Sequence, residues 1–447
     1  MVERGAIVNI VILKKHISRD LRATFFNSLW RIIAGPVTLL CIPIFLTTLE
    51  QGYWYTFIGI AALSIFADLG FTTIVLQFAA HEFAYLRFNN NYELLGDGEH
   101  IWRLASFFRF IIRWLIRIVG IVFPLIIIGG YYFMDSKHDE LSWQFAWGIY
   151  SFASAGVFVS SALLSFFEGC NLVGLVQNIR FRVGVCQTVT ILTCLASGGN
   201  IYSLGLSAVV NVIVSGCYIG YYFWPTIMQM WRVSAGSCFD WWPEFSKLIW
   251  RYAISWSSGY FIFQIFTPIA FYFHGAGFSG KIGISIAMWT AGFSIANTWM
   301  TAIMPKMNML ISEQKWNELD IVFKKNLHRT VFTIFVGGLI YFMLYFLLHN
   351  SVAFFGRVLP PLSMAMLWIS WTFQSWVNSV ACYLRSHKRE PMMKISVVCG
   401  VWVMITTYIC AVCLPPEYLF LGFLSQYWSV FFVYRLFKRQ QREHYIL

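Results

Sequence analysis

The sequence predicts an all-α polytopic membrane protein with twelve transmembrane helices in two six-helix lobes. Three observations carry that reading. The chain is 58% hydrophobic and 12% charged, with a mean hydropathy of +0.64, more apolar than a water-soluble chain of this length tolerates. Apolar runs of about 20 residues, the length that crosses the hydrocarbon, recur from end to end. The basic residues gather at alternate ends of those runs.

Taken in order, residues 1–24 hold an eight-residue apolar stretch from Ala6 to Leu13, between Glu3 and Lys14-Lys15. It is too short to span, and its charges sit on the wrong side for a cleaved signal, so a retained cytoplasmic segment is expected. Spans follow at 25–49, 53–80, 110–134, 143–167, 183–197 and 202–224, then at 245–273, 282–304, 330–349, 359–384, 395–414 and 418–437. The fifth is the shortest, because Arg180 and Arg182 abut it. The longer connections are 81–109, 225–244 and 305–329. The middle one, aromatic and amphipathic around Trp231 and Trp241-Trp242, suits an interfacial linker. It divides the chain into an N-terminal lobe, 25–224, and a C-terminal lobe, 245–437, with a tail at 438–447.

Twelve spans put both termini on one side. Of the 32 basic residues, only Lys137, Lys281 and Arg357 fall on the outer face, so the positive-inside rule sets both termini in the cytoplasm. The net charge of +12 reflects this topology. Nucleic acid is excluded as a partner, because no single basic patch forms. The two lobes open alike, with Ser28-Leu29-Trp30-Arg31 beside Leu248-Ile249-Trp250-Arg251. An even number of spans per lobe makes this a parallel pseudo-repeat, the arrangement of alternating-access transporters.

An arginine inside a span costs roughly 2.5–3.5 kcal/mol on insertion scales and calls for a partner or a task. Arg31 and Arg251 lie near the inner ends of their spans. There a guanidinium either binds an anion such as phosphate or snorkels to the interface. Asp68 stands near the centre of the second span, where a carboxylate serves as a proton or cation site, as a counter-charge to Arg31, or as a packing hydrogen-bonder. Amides recur at Gln77, Gln187, Asn211, Gln264, Asn297, Gln374 and Asn378. One amide per helix is often only interhelical glue, worth about 0.6 kcal/mol, but seven over both lobes fit a hydrated cavity. Gln264, Asn297 and Asn378 are expected to join Arg31 and Arg251 in binding substrate, with Asp68 as the ion-coupling group. Gly35, Pro36, Pro43, Gly259 and Pro268 are expected to kink the first and seventh helices.

Gly275-Ala276-Gly277-Phe278-Ser279-Gly280-Lys281 nearly spells a nucleotide-binding loop. It lacks the Ser or Thr after the lysine and any preceding strand, and reads as a tight turn between two spans. The ten cysteines are scattered, and Cys410-x-x-Cys413 has no second pair, so neither disulfides nor a metal site is expected. His81 and His100 lie too far apart for metal ligands, and no nucleophile or paired-acid motif stands out. No enzymatic activity and no cofactor are expected.

The stretch from Gly52-Tyr53-Trp54 through Asp68-Leu69-Gly70-Phe71 to Gln77 resembles the second helix of lipid-linked oligosaccharide flippases, the O-antigen or Wzx type. Their superfamily also holds the multidrug MATE exporters and the lipid II flippase. Phe167-Glu168-Gly169-Cys170-Asn171 is similar to the exit from that family's fourth helix. The resemblance implies a MATE-like fold and transport of undecaprenyl-pyrophosphate-linked oligosaccharide, such as an O-antigen repeat unit, across a bacterial inner membrane. Two lobes would rock around a cationic cavity, with membrane lipids and other polysaccharide assembly proteins as partners. It further implies that Arg31 and Arg251 contact the pyrophosphate or an acidic sugar. The second half departs from the pattern, having few other basic residues inside its spans. Two rival readings stay open: a cation-coupled multidrug exporter of the same fold, and a membrane enzyme of polysaccharide biosynthesis. The first would favour acidic cavity residues, and the second usually carries a sizeable outer loop.

Overall fold

A computed structural model describes residues 2–137, 141–234, 239–387 and 392–446, with side chains described except at 2–19, 21, 248, 251, 255 and 443–446. Helix α1 (Val2–Phe45) runs unbroken through Gly35, Pro36 and Pro43, so residues 2–24 continue the first pass. The second pass is interrupted: α2 (Thr48–Ala61) leads through a 3-10 turn to α3 (Ile65–Asp68), and α4 (Phe71–Phe83) follows. The breaks have local causes. Thr47 and Glu50 form a reciprocal capping box that starts α2. Leu69 and Gly70 both adopt left-handed backbone, at φ 43° and 78°, which ends α3.

The connection expected over 81–109 contains a hairpin of β1 (Leu86–Phe88) and β2 (Leu94–Gly96), with Leu86 opposite Gly96 and Phe88 opposite Leu94. Asn89 closes its turn: its side-chain oxygen accepts from the Asn91 and Glu93 amides, each at 2.8 Å, the Asx geometry that suits asparagine to turns. Then come α5 (Gly98–Asp135), α6 (Gln144–Gly169), α7 (Val173–Ala196) and α8 (Tyr202–Val233). Helix α7 begins ten residues before the expected fifth span, taking Arg180 and Arg182 inside it. Helix α8 continues through Pro225 into the expected linker. Gln229 on its extension pins the hairpin, accepting from the Leu94 amide at 2.7 Å and donating to the Leu94 carbonyl at 3.0 Å.

The seventh pass is α9 (Trp242–Phe263) and α10 (Phe266–His274), broken at Gln264-Ile265 ahead of Pro268. Helix α11 (Ala276–Ser312) follows directly. The expected turn over 275–281 is therefore confined to Gly275 at φ 82°, and Ala276 to Lys281 form the first turns of α11. After α12 (Trp316–Leu348) and the short α13 (Phe354–Arg357) come α14 (Pro361–Ser386) and α15 (Met393–Cys413). The last pass joins α16 (Leu421–Ser425) to α17 (Ser429–Ile446) through one 3-10 turn. Eight helical segments among the described residues are long and apolar enough to cross a membrane. On α5, Ile116, Ile121, Leu125 and Ile128 all point outward and exposed, which suits lipid as solvent and not water. The protein is an all-α, multi-pass membrane protein.

Contacts group the chain into two compact units. One holds the residues up to Thr38 together with Leu63–Ala253; the other holds Leu39–Ala62 together with the residues from Ile254 onward. The first unit is cored by aromatic rings. Phe167 stacks on Phe223 at 3.8 Å, while Trp241 packs on Phe107 and Phe239. Glu82, buried within this core, is held by Arg103 at 3.0 Å, whose guanidinium lies over Phe239 and Trp241.

In the second unit, α2 packs closely on α11 because small residues line the seam. A Cβ at Gly52 would come 2.1 Å from the Ala276 carbonyl oxygen, and one at Gly283 would come 2.1 Å from the Tyr55 ring. Buried Gln51 donates to the Gly280 carbonyl at 2.9 Å, and the Thr56 and Ser279 hydroxyls meet at 3.0 Å. Close backbone approach with interhelical hydrogen bonds is how helices associate without a hydrophobic drive.

Candidate functional site

Four helices of the first unit each turn a polar stripe toward one cavity of about 300 Å³. Helix α1 contributes Asn27 and Arg31, and α6 contributes Ser160 and Ser161. Arg180 and Gln187 come from α7, Asn211 and Ser215 from α8. Spacings of four residues on α1 and α8 and of seven on α7 put these groups on one face of each helix. Trp30 fixes the rotation of α1 by packing edge-on against Phe181 of α7 at 6.1 Å and over Gly184.

A hydrogen-bonded chain ties the α1 and α7 sides of this cavity together. Asn27 donates to Gln177 at 2.7 Å, and Gln177 donates to Glu168 at 2.8 Å. The other oxygen of Glu168 pairs with Arg180 at 2.8 Å, and Arg180 also reaches the Ser165 hydroxyl at 3.4 Å. Deeper along the helices, Asn211 donates to Gln187 at 3.0 Å and accepts from Ser215 at 3.4 Å.

Arg31 stands apart from this network. Among the described residues its guanidinium has neither a hydrogen bond nor an ion pair, and it is exposed into the cavity. Among the described residues no carboxylate lines the cavity itself; Glu168 offsets Arg180 from outside the lining set. The cavity therefore presents one compensated and one uncompensated guanidinium, together with amides and hydroxyls. That donor-rich, net-positive wall suits an anionic, hydroxylated ligand. Among the described residues no three of His, Cys, Asp and Glu converge to hold a metal ion.

No family model and no curated protein matches the chain. Solved structures do. The lipid II flippase MurJ in an inward-closed conformation superposes with a TM-score of 0.62 at 11% identity, covering 91% of this chain and 84% of MurJ. An inward-facing multidrug resistance MATE transporter of the MOP superfamily gives 0.56 at 11% identity, covering 91% and 98%. An outward-facing MATE transporter gives 0.56 at 10%, covering 97% of each chain. The chain shares its fold with these transporters. At these identities the likeness is one of fold, and it carries the two-lobe, twelve-helix architecture.

Within this fold the residues singled out from sequence are placed as follows. Arg31 lines the cavity. Arg251 lies in α9 with its side chain outside the described residues, and its neighbour Trp250 is 69% exposed. Trp30, the residue matching Trp250, is instead packed against α7. Asn297 and Asn378 belong to the second unit, where Asn378 donates to Asn297 at 2.8 Å and joins α11 to α14. Gln264 sits exposed at the break between α9 and α10. The structure thus brings Asn297 and Asn378 together and places Arg31 in the other unit.

Asp68 caps α4: its carboxylate accepts from the Thr72 amide at 3.1 Å and from the Thr72 hydroxyl at 3.3 Å. Sequence reasoning misses Asn27, Glu168, Gln177 and Arg180 as a site. The available signal is a pair of opposite charges, Glu168 and Arg180, flanking the helix turn at 170–172.

Proposed function

We propose that the protein is a flippase for an anionic lipid-linked oligosaccharide. Undecaprenyl-pyrophosphate-linked repeat units, moved from the cytoplasmic to the outer leaflet of a bacterial inner membrane, are the substrate class. In this reading both termini are cytoplasmic, and the lobes 25–224 and 245–437 rock against each other. The observation that carries it is the unpaired Arg31 guanidinium in a polar cavity with Arg180 and no lining carboxylate. An uncompensated arginine inside a membrane protein is costly, and a charged, hydroxylated headgroup offsets that cost. Arg31 and Arg180 are the headgroup contacts, and Arg251, Gln264, Asn297 and Asn378 serve later positions along the path.

A second reading, a cation-coupled multidrug exporter, is favoured by the MATE neighbours of the same fold. It asks for acidic cavity residues, and the cavity wall supplies basic ones.

A deletion strain tests the two readings. Lipid-linked repeat unit is expected to accumulate on the cytoplasmic face and to be cleared by the wild type. Arg31→Ala and Arg180→Ala are expected to clear it several-fold less well. Full rescue by both variants sinks the cationic-site reading. Lost drug resistance without accumulation of the lipid-linked precursor moves the assignment to the exporter.

Asp68 is proposed as the coupling group. Asp68→Asn keeps an oxygen that accepts from Thr72 while removing the charge. Transport by that variant is expected to lose its pH dependence, and an unchanged pH profile excludes the role.

A further inference from the structure

A second, larger cavity of about 1130 Å³ opens in the first unit at the end that carries the β1–β2 hairpin. It is built from other residues on the same helices: Ala23 and Phe26 of α1 lie just before Asn27, while Asn178 and Phe181 of α7 flank Arg180. No residue lines both cavities.

Its wall has two chemistries. Part of it is apolar, with Phe26, Leu172, Leu175 and Phe181 joined by Phe83 and Phe88, whose rings stack at 4.9 Å. The lining also carries Arg22 and Arg87, both exposed and neither with a hydrogen bond nor an ion pair among the described residues. Among the described residues the one carboxylate in the wall is Asp20, which is seated against Gly174: a Cβ there would come 2.0 Å from its Oδ1. Two guanidinium groups against one carboxylate leave the lining positive. Arg22 stands on α1 just ahead of Phe25 and Phe26, which are exposed apolar rings. A guanidinium beside exposed apolar rings suits headgroup level.

We propose that this cavity binds an anionic phospholipid, its phosphate held by Arg22 and Arg87 and an acyl chain laid along the aromatic wall. A free anion would make no use of six apolar side chains, and a neutral lipid none of two unpaired guanidiniums. The assignment is independent of the transported cargo, because it is read by lipid retention and not by transport.

Native mass spectrometry of the full chain in detergent tests it, with phosphatidylglycerol, phosphatidylcholine, undecaprenyl phosphate and inorganic phosphate each supplied. Phosphatidylglycerol is expected to be retained about tenfold more than phosphatidylcholine, as two basic side chains at headgroup level provide. The double variant Arg22→Gln/Arg87→Gln is expected to lose that preference, while Lys315→Gln on an exposed loop keeps it. Equal retention of the two phospholipids, or a preference surviving in the double variant, overturns the proposal. So does stronger retention of undecaprenyl phosphate, or displacement of phosphatidylglycerol by an equal concentration of inorganic phosphate.

Discussion

Two arginines in one cavity behave differently because their neighbours differ. Arg180 is paired with Glu168, so Glu168→Gln leaves a partly buried guanidinium uncompensated and is expected to cost about 1–3 kcal/mol. Arg31 has no partner among the described residues, so Arg31→Gln is expected to leave stability unchanged while impairing transport. Thermal unfolding in detergent separates the two, and equal destabilisation by both would make Arg31 structural. Gly70 is constrained twice, by φ 78° and by a Cβ that would come 2.7 Å from Tyr252 Cβ. Gly70→Ala is expected to lose about 1–3 kcal/mol in the same measurement. Arg31 is legible in the sequence because a charge inside an apolar run stands out. Arg180 is not, because it reads as the flank of a short run and its partner lies twelve positions away, beyond a turn.

At the level of elements, hydropathy marks where helices cross but not where they start, break or pack. Helix α7 extends ten residues beyond its apolar run because Arg180 and Arg182 find Glu168 and the Tyr218 hydroxyl, the latter at 3.2 Å. The hairpin is invisible to periodicity because its strands are three residues long and depend on Gln229 in α8. Gln229→Ala removes both bonds to Leu94 and is expected to speed amide exchange over 86–96 by about tenfold. Unchanged exchange would mean that the strands hold themselves. The α2–α11 seam is equally hidden, since a glycine acquires meaning only from what faces it. Gly283→Leu drives a side chain into Tyr55 and is expected to cost at least about 1–3 kcal/mol, read as a lowered unfolding midpoint.

For the whole molecule, composition and the spacing of apolar runs suffice to read a twelve-pass, two-lobe membrane protein, because the bilayer permits few alternatives. The likeness of fold to MurJ and the MATE transporters is visible only in the structure, at 10–11% identity. What the protein carries is a matter of side-chain chemistry: of the amides legible in the sequence, Gln187 and Asn211 line the cavity with Arg31, while Asn297 and Asn378 pair in the second unit. The account rests on a cationic cavity in the first unit. Its most direct test is equilibrium binding of an undecaprenyl-pyrophosphate-linked oligosaccharide and of a cationic drug to the purified protein, at two ionic strengths. The oligosaccharide is expected to bind, more weakly at high salt, and about tenfold or more weakly to Arg31→Gln, in keeping with one charge-assisted hydrogen bond. Tight binding of the cationic drug, with oligosaccharide binding absent or indifferent to Arg31, would contradict it.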